Sequence, residues 1–186
     1  MSDEAAFRSA SDYFARWSGG TAKQRRRIAD RAPLADIQAA ALRHPDPFVR
    51  RWSLFYLDHY ANDASMAVFA EALHDPVDMV RNIALHSLAC EPCKSEDLCA
   101  ADVVPGLLDV VAHDPSPDLR MKAIPQLLRL SASDPRARAA VEACATSDPD
   151  AIVRHAASEA LAGRLVSPRK RYEREQRGHA KARRTA

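Results

Sequence analysis

A pattern of apolar and polar positions recurs four times along the chain. Each copy is centred on an arginine, with an apolar residue before it, a small residue three positions on and a leucine seven positions on. Steps of about four residues place these apolar positions on one face of an α-helix. The pattern therefore predicts four helices with equivalent buried faces, centred near Arg50, Arg81, Arg120 and Arg154.

A turn sequence stands before each of these helices. Three copies begin with Asp-Pro at residues 75, 114 and 148, whereas the first copy has His44-Pro45. Aspartate caps the free amides of a helix, and proline is tolerated only in its first turn. A second apolar segment precedes each turn and predicts a partner helix. The chain is thus expected to form four helix pairs, with first helices over 33–43, 64–73, 102–112 and 135–146.

The residues before the first pair predict a helical cap. Phe7, Phe14 and Trp17 share one side of a helix over 3–18, which Gly19-Gly20 ends. Thr21 and Gln24 have the spacing of a capping box, which predicts a second helix over 22–31. We expect 1–32 to cap the array, 33–163 to hold the repeats, and 164–186 to form a basic tail.

The repeated motif, Asp-Pro-x4-Val-Arg-x2-Ala-x3-Leu, resembles HEAT repeats, including the short HEAT-like repeats first named from bilin lyases. The arginines are 31, 39 and 34 residues apart, and the resemblance covers about 33–163. It implies an all-α fold, a right-handed α-solenoid of about four helix pairs. Proteins of this family are mostly non-enzymatic scaffolds and protein-binding modules, so another protein or a peptide is the expected partner.

The resemblance also implies an internal ladder of hydrogen bonds between repeats. Its members here are the recurring acids and bases Asp75, Arg81, Asp114, Arg120, Asp148 and Arg154. The first repeat departs from the pattern because His44 occupies the aspartate position, which leaves its rung in question. Pro125 lies inside the second helix of the third repeat, where we expect a kink.

A cysteine cluster interrupts the array between the second and third repeats. This arginine interval is eight residues longer than the preceding one, and it contains Cys90, Cys93 and Cys99. His86 lies one helical turn before Cys90. These four residues have the types and spacing of a tetrahedral Cys3His zinc site. Four protein ligands would leave no open position, so the predicted zinc is structural and would close the long loop.

Three alternatives to zinc remain open for the cysteines. Cys90 and Cys93 are also spaced as a redox pair, although their place after a helix C-terminus disfavours a thiolate. An iron–sulfur cluster uses similar spacing. The cysteines are also compatible with small buried residues, which is the interpretation for Cys144 on its apolar helix face. The lack of a secretory signal makes disulfides unlikely in this chain and favours the cytoplasm.

Composition and charge exclude several function classes. The glycines stand at 19, 20, 106, 163 and 178, so no phosphate-binding loop of the Walker or GxGxxG type exists. No catalytic constellation was found, and the protein is predicted not to be an enzyme. No apolar run is long enough to span a membrane. Residues 164–186 carry nine Lys/Arg and two Glu, a charge of +7, against −5 for the rest of the chain.

The candidate binding site is the concave face of the solenoid, where second helices present their outer residues. Positions one and five after each arginine should point there, with aromatic character added by Trp52 and Tyr56. The predicted binding residues are Arg51, Phe55, Asn82, Met121, His155 and Glu159. The alternative function is nucleic-acid binding through the basic tail, by analogy with HEAT-like DNA glycosylases. A bilin lyase would rest on the name of the repeat alone.

Overall fold

The repeat pattern folds into helices in the computed structural model, which describes residues 2–18, 32–59, 63–89 and 103–164. Within these ranges all regular secondary structure is α-helical, and the all-α prediction is confirmed. The helices are α1 (Asp3–Ser18), α2 (Leu34–Arg43), α3 (Pro47–His59), α4 (Asp63–Ala72), α5 (Asp78–Ala89), α6 (Val104–His113), α7 (Pro117–Leu130), α8 (Pro135–Ser147) and α9 (Ala151–Leu161).

The helices after α1 form the four predicted pairs, α2–α3, α4–α5, α6–α7 and α8–α9. The second helices α3, α5, α7 and α9 pack side by side along the chain, in a row. Among the first helices, α2 packs on α4 and α6 on α8. This consecutive packing makes the fold a solenoid of HEAT-like repeats.

Helix α1 packs against α2 at the start of the array, in the place expected of a cap. The cap helix predicted over 22–31 lies outside the described residues, as does the tail from residue 165 onward. Within the described parts of the chain, none of the helices combines the length and hydropathy needed to cross a membrane.

The core follows the positions that the repeat predicts. The small residues three positions after the arginines are fully buried, which lets neighbouring helices approach closely. The leucines at position seven are buried in the first three repeats, and Leu161 is only partly covered. Cys144 is a buried free thiol, as predicted. Helix α7 continues past the exposed Pro125 to Leu130.

Candidate functional site

A row of buried arginine–aspartate pairs joins each repeat to the next. The Nε atoms of Arg50, Arg81 and Arg120 donate to the Oδ2 atoms of Asp75, Asp114 and Asp148, at 2.6, 2.8 and 2.8 Å. Each Nη2 atom donates to the second oxygen of the same carboxylate. Such two-pronged pairs hold both partners in one geometry. Each rung therefore runs from an arginine of one repeat to the aspartate of the following repeat.

The third nitrogen of each arginine binds the turn of its own repeat. Nη1 donates to the carbonyl six residues earlier in all four repeats, at 2.5 to 2.9 Å. Because an aspartate receives its arginine from the preceding repeat, the first repeat does not need one. His44 supplies the other function of the aspartate: its Nδ1 accepts the Asp46 amide at 3.0 Å, as Asp75 Oδ1 accepts the Val77 amide at 2.9 Å.

The electrostatics of the last rung exclude a reactive cysteine beside it. The Arg120 guanidinium lowers the pKa of Asp148 by hydrogen bonding. Burial, and then the neighbouring Asp148 carboxylate, raise the pKa of the Cys144 thiol to about 11. The thiol points at Asp148 with Sγ 3.8 Å from Oδ2. Cys144 is thus protonated at neutral pH and is not a nucleophile.

An aromatic stripe runs along the outer side of α3. Phe48, Trp52, Phe55 and His59 are spaced by four, three and four residues, which places them on one helix side. Phe48 is 61% exposed and Trp52 45% exposed. The Trp52 and Phe55 rings meet edge to face at 5.5 Å, and the Arg51 guanidinium lies 5.7 Å from the Trp52 ring. The stripe is therefore an ordered apolar surface with a cation beside it.

The other predicted face residues lie on successive second helices but differ in their surroundings. Asn82 accepts a hydrogen bond from Lys122 at 2.7 Å, which links the second and third repeats. Met121 is half-buried against the core. Arg164 binds Glu159 and thereby lowers the pKa of that carboxyl. His155 is exposed.

The aromatic assignment of this face needs one correction. The sequence grouped Tyr56 with Trp52, but Tyr56 is 1% exposed. Its hydroxyl forms a hydrogen bond of 2.7 Å with the hydroxyl of Tyr13 in α1. Tyr56 lies one turn after Trp52 on α3. It belongs to the core because its side chain faces α1. Phe48, which sequence analysis did not assign to the face, is the more exposed aromatic residue.

Sequence analysis also missed a buried carboxylate at the end of the stripe. Asp58 is 1% exposed, and its Oδ2 lies 3.7 Å from His86 Nε2 and 4.0 Å from His59 Nδ1. The signal was available, because the eighth position after the arginine is Ala89 or Leu128 in the next two repeats. An acid at a position that the repeat makes apolar indicates a local requirement beyond packing.

The predicted zinc ligands are only partly described. His86 lies on the last turns of α5 with its side chain 57% exposed. Cys90, Cys93 and Cys99 lie outside the described residues. Among the residues that are described, no three histidine, cysteine or acidic side chains come together in a way that could hold a metal ion. The zinc site therefore stays a prediction.

Comparison with known proteins supports the repeat assignment. Residues 95–162 match the family model of HEAT repeats, a range that contains α6 to α9. No match was found among curated proteins or among solved structures. The same arginine rung, small residue and leucine recur in α3 and α5, before the matched range. The chain is therefore a HEAT-like repeat protein.

Proposed function

We propose that the protein is a non-enzymatic protein-binding module and that the aromatic stripe of α3 is its docking surface. HEAT repeats generally mediate protein interactions, which supports the general class. The single observation that carries the location is the exposure of Phe48 and Trp52, which lie one turn apart on α3. Exposed aromatic side chains that the fold does not need are typical anchors of protein interfaces.

Equivalent positions in the third repeat show that the stripe is not a general property of the fold. The positions of Phe48, Trp52 and Phe55 are taken there by Asp118, Lys122 and Pro125. All three of these residues are exposed, and that repeat still packs and forms its rung. The repeat pattern thus does not require aromatic residues at these three positions of α3, which favours a role in recognition.

Charge around the stripe indicates the chemistry of the partner. The Arg51 guanidinium lies beside the Trp52 ring, and the exposed His59 imidazole is at the other end of the stripe, next to the buried Asp58 carboxylate. We therefore infer a partner segment that places an apolar side chain on Trp52 and an aspartate or glutamate near Arg51.

A peptide-display selection with the full chain tests this proposal. Acidic peptides with an apolar anchor should be selected, and Trp52→Ala should weaken their binding by about tenfold or more. Ile152→Ala is the matched control, because Ile152 is an exposed apolar residue on α9, 67% exposed. Equal affinity of the parent chain and both variants would overturn the assignment to α3.

The same variants distinguish nucleic-acid binding. Duplex or single-stranded DNA bound through the tail should show steep salt dependence and no response to Trp52→Ala. That result, without any selected peptide, would replace protein binding by the alternative function.

We also propose that His86, Cys90, Cys93 and Cys99 hold one structural zinc ion. The spacing of the four residues and the exposure of His86 at the end of α5 support this. A bound zinc would supply no chemistry beyond holding the loop between α5 and α6 closed. Reduced thiols of this kind suit a cytoplasmic location.

Elemental analysis of the untagged protein tests the zinc proposal. We expect about one zinc per chain, lost in Cys93→Ser together with a fall in melting temperature. Cys144→Ser is the matched control and should retain the metal, because Cys144 lies in the core away from α5. Protein without metal, even after zinc is supplied under reducing conditions, would contradict the proposal. Iron with visible absorbance would instead support the iron–sulfur alternative.

A further inference from the structure

Among the described residues, the last arginine of the ladder has no carboxylate equivalent to those that the other three bind. Arg154 stands in the fourth repeat, where a following aspartate would be the fourth acceptor. Its Nη1 donates to the Asp148 carbonyl at 2.5 Å and to the Pro149 carbonyl at 3.2 Å. Within the described ranges no carboxylate pairs with its Nε or Nη2, the two atoms that hold the aspartate elsewhere.

The guanidinium of Arg154 is nevertheless held as in a complete rung. Arg50 makes the same two carbonyl contacts, with His44 at 2.7 Å and Pro45 at 3.2 Å, and it binds Asp75 with its remaining nitrogens. The two arginines are thus anchored by the same bonds. A planar guanidinium that is already held along one edge loses little conformational freedom when a carboxylate binds its other edge.

The surface around Arg154 does not resemble the face that receives another repeat. Four positions after the arginine, Leu54, Leu85 and Ile124 are buried in the first three repeats. The equivalent residue of α9 is Ser158, which is exposed and donates to the Arg154 carbonyl at 2.9 Å. An exposed hydroxyl in place of a buried aliphatic side chain is typical of a solvent-exposed surface. The Arg154 guanidinium is the part of the repeat interface that α9 retains.

We propose that the Nε–Nη2 edge of Arg154 is a binding site for a carboxylate presented by a turn of a partner protein, in the manner of the Asp-Pro turns inside the array. The chain's own tail is a poor source, because residues 165–186 hold eight Lys/Arg and two Glu. A second copy cannot complete the ladder with its first repeat, since His44 stands at the aspartate position. The site is separate from the aromatic stripe and does not depend on it.

Nuclear magnetic resonance of the full chain tests this site. The Arg154 Nε–H signal and the backbone amides of α9 are followed while a blocked peptide that copies residues 113–116 is added at pH 7. Sodium acetate, exchanged for chloride at constant ionic strength, is the second probe. We expect a saturable shift with the peptide and none with its Asp-to-Asn version.

Two variants complete the experiment. Arg154→Lys keeps the charge but removes the fork, and it should weaken the peptide response by about fivefold or more. Arg138→Lys, on the exposed side of α8, should leave the response unchanged. No saturable shift with either probe would overturn the site. A response to acetate but not to the peptide would overturn the assignment of its occupant to a protein turn.

Discussion

The region before the cysteine cluster and the region after it use one ladder but very different cores. Every phenylalanine, both tryptophans and three of the four tyrosines precede residue 70, and residues 103–164 contain no aromatic side chain. Helices α6 to α9 bury alanine, valine, leucine and isoleucine instead. Both regions nevertheless have buried arginine–aspartate rungs of the same geometry.

This difference separates what the repeat requires from what the first repeats add. Helices α6 to α9 form without Phe, Trp or Tyr, so such residues are not a condition of the fold. Four of those in α1 and α3 form two contrasting groups. Tyr13 and Tyr56 are buried against each other, and Phe48 and Trp52 are exposed. The buried group stabilises the cap, and the exposed group is the candidate for recognition.

The largest effect is expected at the rung between the two regions. Asp114→Ala should reduce the free energy of unfolding by about 3 kcal/mol, because it leaves the buried Arg81 guanidinium without its carboxylate. Denaturant titration followed by circular dichroism measures this. Asp109→Ala is the control, since the pairs that Asp109 forms in the described structure are exposed ones with histidines, and it should cost less than about 1 kcal/mol. Comparable losses in both variants would mean that the rung is not what joins the regions.

A second effect concerns the close packing of α6 on the region before it. A methyl group on Gly106 would stand 2.9 Å from Leu73 Cδ1 and 3.0 Å from Leu88 Cδ2. The effect of Gly106→Ala on the free energy of unfolding should therefore be more favourable by about 1–2 kcal/mol in a Leu73→Ala background than in the parent chain. The reason is that alanine at position 73 makes room for the new methyl group. A double-mutant cycle by thermal unfolding measures the coupling. Additive effects would show that the two regions do not touch here in solution.

A third effect tests the aromatic core of the first region. Tyr56→Phe removes the hydrogen bond between the Tyr13 and Tyr56 hydroxyls and should cost about 1 kcal/mol of unfolding free energy. The double variant with Tyr13→Phe should cost less than the two single changes added together, because both single changes remove the same bond. A double variant that is as destabilised as the two single changes added together would argue against this bond.

The smallest effect is expected where the first repeat departs from the others. Ser53 is fully buried, and its hydroxyl has no partner within the described structure, whereas the other repeats have alanine at this position. Ser53→Ala should leave stability unchanged or raise it by up to about 1 kcal/mol, since an unsatisfied buried hydroxyl is removed. Chemical denaturation measures it, with exposed Ser133→Ala as control. A loss above about 1 kcal/mol would reveal a hydrogen bond that the hydroxyl makes in solution.

The sequence predicted the helix pairs closely but not the partners of their charged residues. The apolar segment over 33–43 became Leu34–Arg43, and that over 135–146 became Pro135–Ser147. Local spacing is enough for such predictions, because it decides which side of a helix is apolar. The resemblance implied a ladder of arginines and aspartates, but it did not say that each arginine binds the aspartate of the following repeat. That Arg50 belongs to it, and that Arg154 is left over, follows only from contacts between residues of different repeats.

The candidate site shows the same division at single residues. Arg51 and Phe55 were placed on the outer side of α3 by their spacing, and the structure has them there, half-buried beside Trp52. Tyr56 was assigned to that side although it faces α1. Spacing alone could not separate the two, because Trp52 and Tyr56 are four residues apart and share a helix side. The neighbour that decides the matter, Tyr13, is 43 residues away in the chain.

By itself the sequence determined the class of fold, the number of repeats and the positions that would be buried. These depend on interactions within about one helical turn and on the identity of capping residues, which a linear pattern contains. The tertiary structure alone decided which arginine meets which aspartate, that Asp58 is buried between two histidines, and which aromatic residues remain exposed. Those outcomes depend on how neighbouring repeats stack, and stacking brings together residues that no local spacing relates.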